Sequence, residues 1–360
     1  MIKYIIKRLI YGILVLLGVV TIIFLLFNVL PADPARMILG QRADISSVEA
    51  INKDLGLDKP LITQYVNYLN DLSPLSIHNV IDSANYWYFD KNKYSSGKVL
   101  FKITKSYSLF IKKPYLRRSY QSKRLVTDII NEALPATTIL AIASIIFALI
   151  LGVLLGIVSA LKKDTFIDKI ITVVSVLGMS LPSFFAAIII SWLFAYVLHN
   201  YTGLNMVGSL YTIDDLGRGE YINLKNLILP AFTLGIRPLA VISELTRSSM
   251  LDVLSQDYIR TAKAKGLSYL KIIFKHALRN SLNPVVTAAS GWFASLMAGA
   301  VFVEYVFDWK GLGVVIVDAL DKYDFPVLMG TVLVISIILV FINIFVDIIY
   351  GYLDPRIRLK

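Results

Sequence analysis

Residues 257–284 read DYIRTAKAKGLSYLKIIFKHALRNSLNP, a basic stretch between two apolar runs at about 227–245 and 285–306. With Arg247 just upstream, Arg260, Lys263, Lys265, Lys271, Lys275 and Arg279 stand against only Asp252 and Asp257. Lys and Arg in short flanks are held on the cytoplasmic side of a membrane. The stretch is therefore expected to be a cytoplasmic loop, and the runs beside it membrane helices.

Working outward, further apolar runs lie at 9–30, 134–161, 170–198 and 325–350, bringing the number to six. Each meets the length of about 20 residues that a helix needs to cross hydrocarbon with its own backbone groups satisfied. The composition agrees: 56% of the 360 residues are hydrophobic, although 36 Lys and Arg outnumber 25 Asp and Glu. An all-α polytopic membrane protein with six transmembrane helices is the expected fold. The first run follows Lys3, Lys7 and Arg8 like the start of a signal peptide, but it is long for one and no small-residue cleavage site precedes Pro31. It reads as an uncleaved span.

Other basic flanks agree on orientation, with Lys162 and Lys163 between the second and third runs and Arg356, Arg358 and Lys360 at the end. Both termini are expected in the cytoplasm. The segment before the sixth run is acidic, with Glu304, Asp308, Asp318, Asp321 and Asp324 against Lys310 and Lys322, as suits an external loop. The expected organisation is a span over 1–30, an extracytoplasmic region of mixed structure over 31–132, and a five-helix core over 133–360 with its cytoplasmic loop at 248–283.

In the external region Ser46 and Glu49 form a capping-box pattern, and Gly56 suits the end of a short helix. Ile62, Tyr65, Val66 and Leu69 then repeat at helical spacing after Pro60. Aromatic and β-branched runs at 86–89 and 99–103 flank Ser95, Ser96 and Gly97, a pattern expected to form a small hairpin.

The spans are poor in ionisable residues, which argues against an ion-coupled pump built from carboxylate relays. The first, second, third and fifth runs have none in their centres, and Arg237 and Glu244 in the fourth are the exceptions. A mid-span Arg costs about 2.5–3.5 kcal/mol on insertion scales, so Arg237 is expected to face a polar cavity. It has two readings, a contact to an anionic group of a cargo or a structural contact to a partner subunit or to backbone carbonyls. Glu244, near the cytoplasmic end, reads as structural. Gly152 with Gly156, and Gly291 with Ser295 and Gly299, make small faces for close helix packing. Pro182, after Gly178 and Ser180, and Pro230 with Pro238 predict kinks of the kind that shape a path or simply pack.

Several function classes find no support. There is no cysteine, hence no disulfide or thiol chemistry, and His78, His199 and His276 are scattered. No GxxxxGK[ST], HExxH or GxSxG pattern occurs, so neither P-loop ATP binding nor a recognisable hydrolase is expected in this chain. Within the basic loop two short amphipathic helices are expected. The first closes at Gly266, a residue suited to the left-handed conformation. The second starts at Ser268 and sets Leu270, Ile273, Phe274 and Ala277 on one face and Lys271, Lys275 and Arg279 on another. Alone, such a segment reads as a solvated or lipid-surface helix.

The letters of this loop resemble the EAA-type loop of ABC importer permeases, in the branch carrying dipeptides, oligopeptides and nickel. Gly266 is in place, while Arg260, Thr261 and Ala262 stand where the general pattern has Glu-Ala-Ala; DYIRTAKAKGL followed by HALRNSL is what the peptide branch shows instead. LPADPARMILG, LGLDKPLITQY, LPATTIL, GMSLPSFF, VFVEYVF followed by GLG, and the terminal DPRIR also look like that family, and together resemble its B-type subunit. Lys310 departs from the proline usual before Gly311, Glu244 departs from a common basic residue, and 75–116 reads as an insertion.

The resemblance implies a type I ABC importer fold and a permease role. It implies a coupling helix seated in an ATPase subunit, with Asp257, Arg260, Thr261, Ala262, Lys265, Gly266 and Leu267 as contacts. The implied partners are a second, C-type permease, two ATPase subunits that bind ATP and Mg, an external binding protein and the lipid bilayer of the bacterial inner membrane. No nucleic acid and no cofactor of the chain's own are expected. Ser180, Pro182 and Arg237 are the translocation-path candidates. Peptide is the leading cargo, with nickel, a nickel chelate, glutathione or an oligosaccharide as alternatives; a membrane sensor and a secondary transporter are the rivals from other classes.

Overall fold

The computed structural model describes residues 2–29, 58–82, 85, 87–94, 97–214, 217 and 219–353. The helix expected between Ser46 and Gly56, the LPADPARMILG segment and the terminal DPRIR lie outside the described residues.

Helix α1 covers Ile2–Val29. The region before the second span holds α2 (Leu61–Leu72), β1 (Leu75–Asn79), a single helical turn α3 (Lys91–Tyr94), β2 (Gly97–Lys102) and β3 (Tyr107–Lys112). Then follow α4 (Val126–Leu161), α5 (Phe166–Ser180), α6 (Ser183–Ile190, continued by a π-helical stretch Ser191–Val197) and the turn α7 (His199–Thr202). A two-stranded ribbon of β4 (Tyr211–Ile213) and β5 (Glu220–Ile222) precedes α8 (Lys225–Leu254). The chain continues with α9 (Asp257–Ala264) and with α10, built of Tyr269–Lys271, a π-helical stretch Ile272–Ala277 and Leu278–Gly299. Last come α11 (Val301–Phe307), α12 (Leu312–Asp321) and α13 (Phe325–Leu353).

Four helices are long and apolar enough to cross a membrane singly, and two bent pairs complete the expected six. The pairs are α5 with α6, bent by 112°, and α10 with α11, bent by 58°. The first bend falls where Leu181 takes extended backbone, φ −72° and ψ 129°, ahead of Pro182. Proline has no N–H and pushes its predecessor out of the helical region. Pro230 and Pro238, the other expected kink positions, sit buried inside the single helix α8.

The small hairpin takes a different form from the one expected. The sheet is antiparallel in the order β1-β3-β2, and the tight turn falls at 103–106 between β2 and β3. Ser95 and Ser96 lie outside the described residues, and Tyr88 makes only an isolated bridge to Asn79. The physical cause is local: the Phe89 ring stacks on Phe110 at 4.2 Å, and the Asp90 carbonyl accepts from the N–H groups of Lys93 and Tyr94, starting a helical turn in place of a strand.

By internal contacts the chain forms two compact units, Met1–Ile13 with Ala133–Val317 and Ile335–Lys360, and Leu14–Glu132 with Asp318–Val334. In the first, Leu140, Ala148, Ala187, Leu234, Ile242, Val285 and Trp309 belong to one core. Gly152 and Gly156 let α4 close on α8. A Cβ on Gly152 would meet the Leu239 carbonyl at 2.9 Å, and one on Gly156 the Thr246 Cβ at 2.5 Å. On the other expected small face, nothing among the described residues lies within 4 Å of a Cβ placed on Gly291. In the second unit, the buried Asp324 carboxylate accepts from the Ser119 hydroxyl and the Tyr120 N–H, tying the chain before α4 to the start of α13.

Candidate functional site

Helix α8 delivers the chain into the basic loop through Ser255 and Gln256, and extended backbone at Gln256, φ −73° and ψ 150°, starts α9. Its end is a Schellman motif: the Leu267 N–H reaches the Ala262 carbonyl at 3.3 Å, and the Gly266 N–H the Lys263 carbonyl at 3.0 Å. Gly266 takes φ +74°, the left-handed conformation expected of it.

Helix α9 has two faces. Ile259 and Ala262 are buried with Ile157 and Ala160 of α4, Met250 of α8, and Ile272, Ile273 and Ala277 of α10, and Leu267 packs against the same cluster. Asp257, Arg260, Thr261, Lys265 and Gly266 are exposed. Arg260 pairs with Asp257 at 3.3 Å, and the Thr261 hydroxyl donates to the Asp257 carbonyl at 3.0 Å. Of the seven residues expected to meet a partner, five thus share the open side of the loop, while Ala262 and Leu267 lie in its support.

The second helix of the loop departs from its expected faces. Of the four residues set on one face, Ile273 and Ala277 are buried together with Ile272, while Leu270 and Phe274 are exposed. A π-helical stretch over Ile272–Ala277 runs through this face and departs from the α-helical register on which the expectation rests.

Two polar knots brace the spans, and the sequence patterns single out neither. Asp168, in the first turn of α5, is buried and receives Arg247 of α8 in a two-pronged pair, Nε at 2.7 Å and Nη2 at 2.8 Å. The Ser159 hydroxyl and the Asp164 N–H donate to the same carboxylate. Arg247 is conspicuous in the sequence as a flanking charge; nothing there pairs it with Asp168, 79 positions away. The second knot centres on Glu304, which the acidic segment placed in an external loop. It is fully buried in α11, accepting from the Thr137 hydroxyl at 2.7 Å and the Gly313 N–H at 2.6 Å. Thr137 in turn accepts from the Leu312 N–H at 2.8 Å, and the Trp309 ring N–H donates to the Ala136 carbonyl at 2.9 Å. Burial of a carboxylate is tolerable only with such partners.

Of the path candidates, Ser180 and Pro182 are exposed at the α5–α6 break, the Ser180 hydroxyl turning back to the Val176 carbonyl at 2.8 Å. Arg237 is exposed on α8. A Cβ on Gly178 would lie 2.9 Å from Ile236, so the turn preceding the break rests on the turn that carries Arg237. Among the described residues no three His, Asp or Glu side chains converge as a metal site would require.

The loop is thus open and basic, and it is propped on helices α4, α8 and α10. Residues 152–359 match the family described as binding-protein-dependent transport system inner membrane component, and residues 1–77 match its N-terminal companion. The chain belongs to this family of membrane permeases. It is 33% identical over 371 residues to the dipeptide transport system permease of Alkalihalophilus pseudofirmus, covering 99% of this chain and 100% of that one. It is 35% identical over 360 residues to the glutathione transport system permease of Pectobacterium atrosepticum, with both chains fully covered. Among solved structures, the methionine ABC transporter MetNI in inward-facing conformations shares the fold, with a TM-score of 0.50, 17% identity, and coverage of 63% of this chain and 97% of that one.

Proposed function

We propose that this chain is one of two permease subunits of an ATP-driven importer, and that its cargo is a short peptide handed over by an external binding protein. The mechanical part rests on one observation: the exposed side of α9 stands on a buried cluster contributed by α4, α8 and α10. With the N terminus and the loop in the cytoplasm, Asp257, Arg260, Thr261, Lys265 and Gly266 meet an ATPase subunit. Small and basic groups at that surface allow close approach and complement acidic groups opposite. Closure of the ATPase pair, which binds ATP and Mg, pushes on α9. Packed side chains do not deform freely, so the push is passed to Met250, Ile272 and Ile273. Arg247 holds α5 to α8 through Asp168, so the third span moves with the fourth. The chain itself hydrolyses nothing.

The peptide cargo is supported by whole-length relatives named for dipeptide and glutathione transport, glutathione being itself a tripeptide. In this reading Ser180, Pro182 and Arg237 border the path, and Arg237 offers a cation to a carboxylate. The test is uptake into liposomes holding the complete complex and its binding protein, with labelled di- and tripeptides beside nickel. ATP-dependent peptide uptake is the expected result. Uptake of nickel alone would overturn the cargo, and uptake indifferent to ATP would overturn the mechanism.

A further inference from the structure

Helix α2 is built inside out. Its inner face is polar: Asn67, Tyr68 and Asp71 are buried. Asn67 accepts from the Trp87 ring N–H, and the Asp71 carboxylate accepts from the Tyr94 hydroxyl at 2.7 Å and pairs with Lys93 at 3.1 Å. Lys112 donates to the Asp71 carbonyl at 2.6 Å. Its outer face carries Leu61, Ile62 and Val66, all exposed, Ile62 at 78%. A helix facing water presents the opposite arrangement, with its apolar stripe turned to the core.

The position of α2 says what covers that stripe. The Tyr65 hydroxyl meets the Thr21 hydroxyl at 2.6 Å, and the Phe24 ring lies 5.1 Å from Tyr65 and 5.8 Å from Tyr68. Thr21 and Phe24 belong to the apolar span Ile6–Leu26, within its last two turns. Ile22, Leu25 and Leu26 of the same turns are exposed and apolar, so they and α2 present hydrocarbon at one end of one span. The stripe holds no charged residue, and two tyrosines sit where the helix meets the span, as amphipathic rings do at a membrane boundary.

We propose that α2 lies in the leaflet boundary where the first span ends, with Leu61, Ile62 and Val66 in the acyl region and the polar face holding the folded region above it. The partner is the lipid surface itself. Helices of this kind bury their apolar face about 5–10 Å below the headgroups. The function is positional: the sheet that follows α2 is held at the membrane by a second anchor besides the spans.

The chain has no cysteine, so single cysteines report cleanly. Ile62→Cys, Val66→Cys and, as a water-facing control, Lys105→Cys are made in the complete complex with cysteine-free partners, spin-labelled, and placed in nanodiscs of phosphatidylethanolamine and phosphatidylglycerol. The ratio of collision with oxygen to collision with a nickel chelate is expected to be severalfold higher at 62 and 66 than at 105. A ratio at both sites equal to that at 105 overturns the proposal in favour of water. Low accessibility to both reagents with an immobilised spectrum overturns it in favour of a protein partner.

Discussion

Gly266 offers the sharpest separation between conformation and bulk in the proposed coupling surface. It holds φ +74°, and nothing lies within 4 Å of a Cβ placed on it. Alanine therefore meets no neighbour, and its whole penalty is the left-handed backbone, about 1–2 kcal/mol for an ordinary L-residue. At about 1.4 kcal/mol per factor of ten, the capped conformation loses roughly 5- to 30-fold in relative weight. Asparagine visits the same region far more readily, so Gly266→Asn is expected to keep most of the function that Gly266→Ala loses. Gly266→Trp adds a large ring on the open side and is expected to abolish transport and substrate-stimulated hydrolysis while the chain still folds. The assay is substrate-stimulated ATP hydrolysis and uptake by the reconstituted complex, with thermal stability in detergent as the control for folding. Normal coupled hydrolysis in Gly266→Trp would refute the docking assignment. Equal loss in Ala and Asn would refute the conformational argument, because volume would then be deciding.

Three further outcomes are expected. Arg247→Ala strands the buried Asp168 carboxylate and should destabilise the chain by about 3–5 kcal/mol, read as a lowered melting temperature in detergent, with partial recovery in Arg247→Ala/Asp168→Ala. Gly156→Val should prevent α4 from closing on α8, since even its Cβ would meet the Ser243 carbonyl at 2.6 Å; a cost of about 1–3 kcal/mol and loss of the assembled complex on size exclusion are expected, and a neutral result would discount the contact. His78, fully buried, has its pKa lowered from 6.5 to about 4, by burial first and then by the nearby Lys112 charge, with Asp71 and Lys93 also facing it. Below pH 6.5 the unfolded chain binds the proton more readily, so this region should lose stability as pH falls from about 6.5 towards 4. Hydrogen exchange of β1 and β3 should show that slope, and His78→Gln should flatten it.

The spans were legible because hydrocarbon demands long apolar runs, and Gly266 because so few residues take a positive φ at a helix end. The break at Pro182 was legible from the proline after Gly178 and Ser180, although Pro230 and Pro238 show that a proline ring alone does not end a helix. What escaped depends on encounters between distant residues. Asp168 meets Arg247 across 79 positions, and Thr137 meets Glu304 across 167, so no local pattern announces either. Glu304 even read as an external acid, since composition counts charges without seeing Thr137 and Gly313 beside them. The first turns of α10 and the pairing of β2 likewise depend on packing that spacing does not show: Ile272 is buried while Leu270 and Phe274 are exposed, and β2 pairs with β3 across a turn at 103–106.

The 112° break between α5 and α6 carries a consequence for mutagenesis of the path. Each arm has 15 residues counting the π-helical stretch, about 22 Å at 1.5 Å per residue, so neither spans a hydrocarbon core of about 30 Å alone. Helix ends leave their outermost N–H and C=O groups without partners inside the helix, and Pro182 supplies no side-chain cap for α6. Where such helix ends lie in hydrocarbon, those peptide dipoles need water, a side chain or neighbouring protein beside them. They form a hydrophilic step written in the main chain, which side-chain substitutions do not remove, so scanning around it should register packing at Gly178 against Ile236 and the break itself at Pro182.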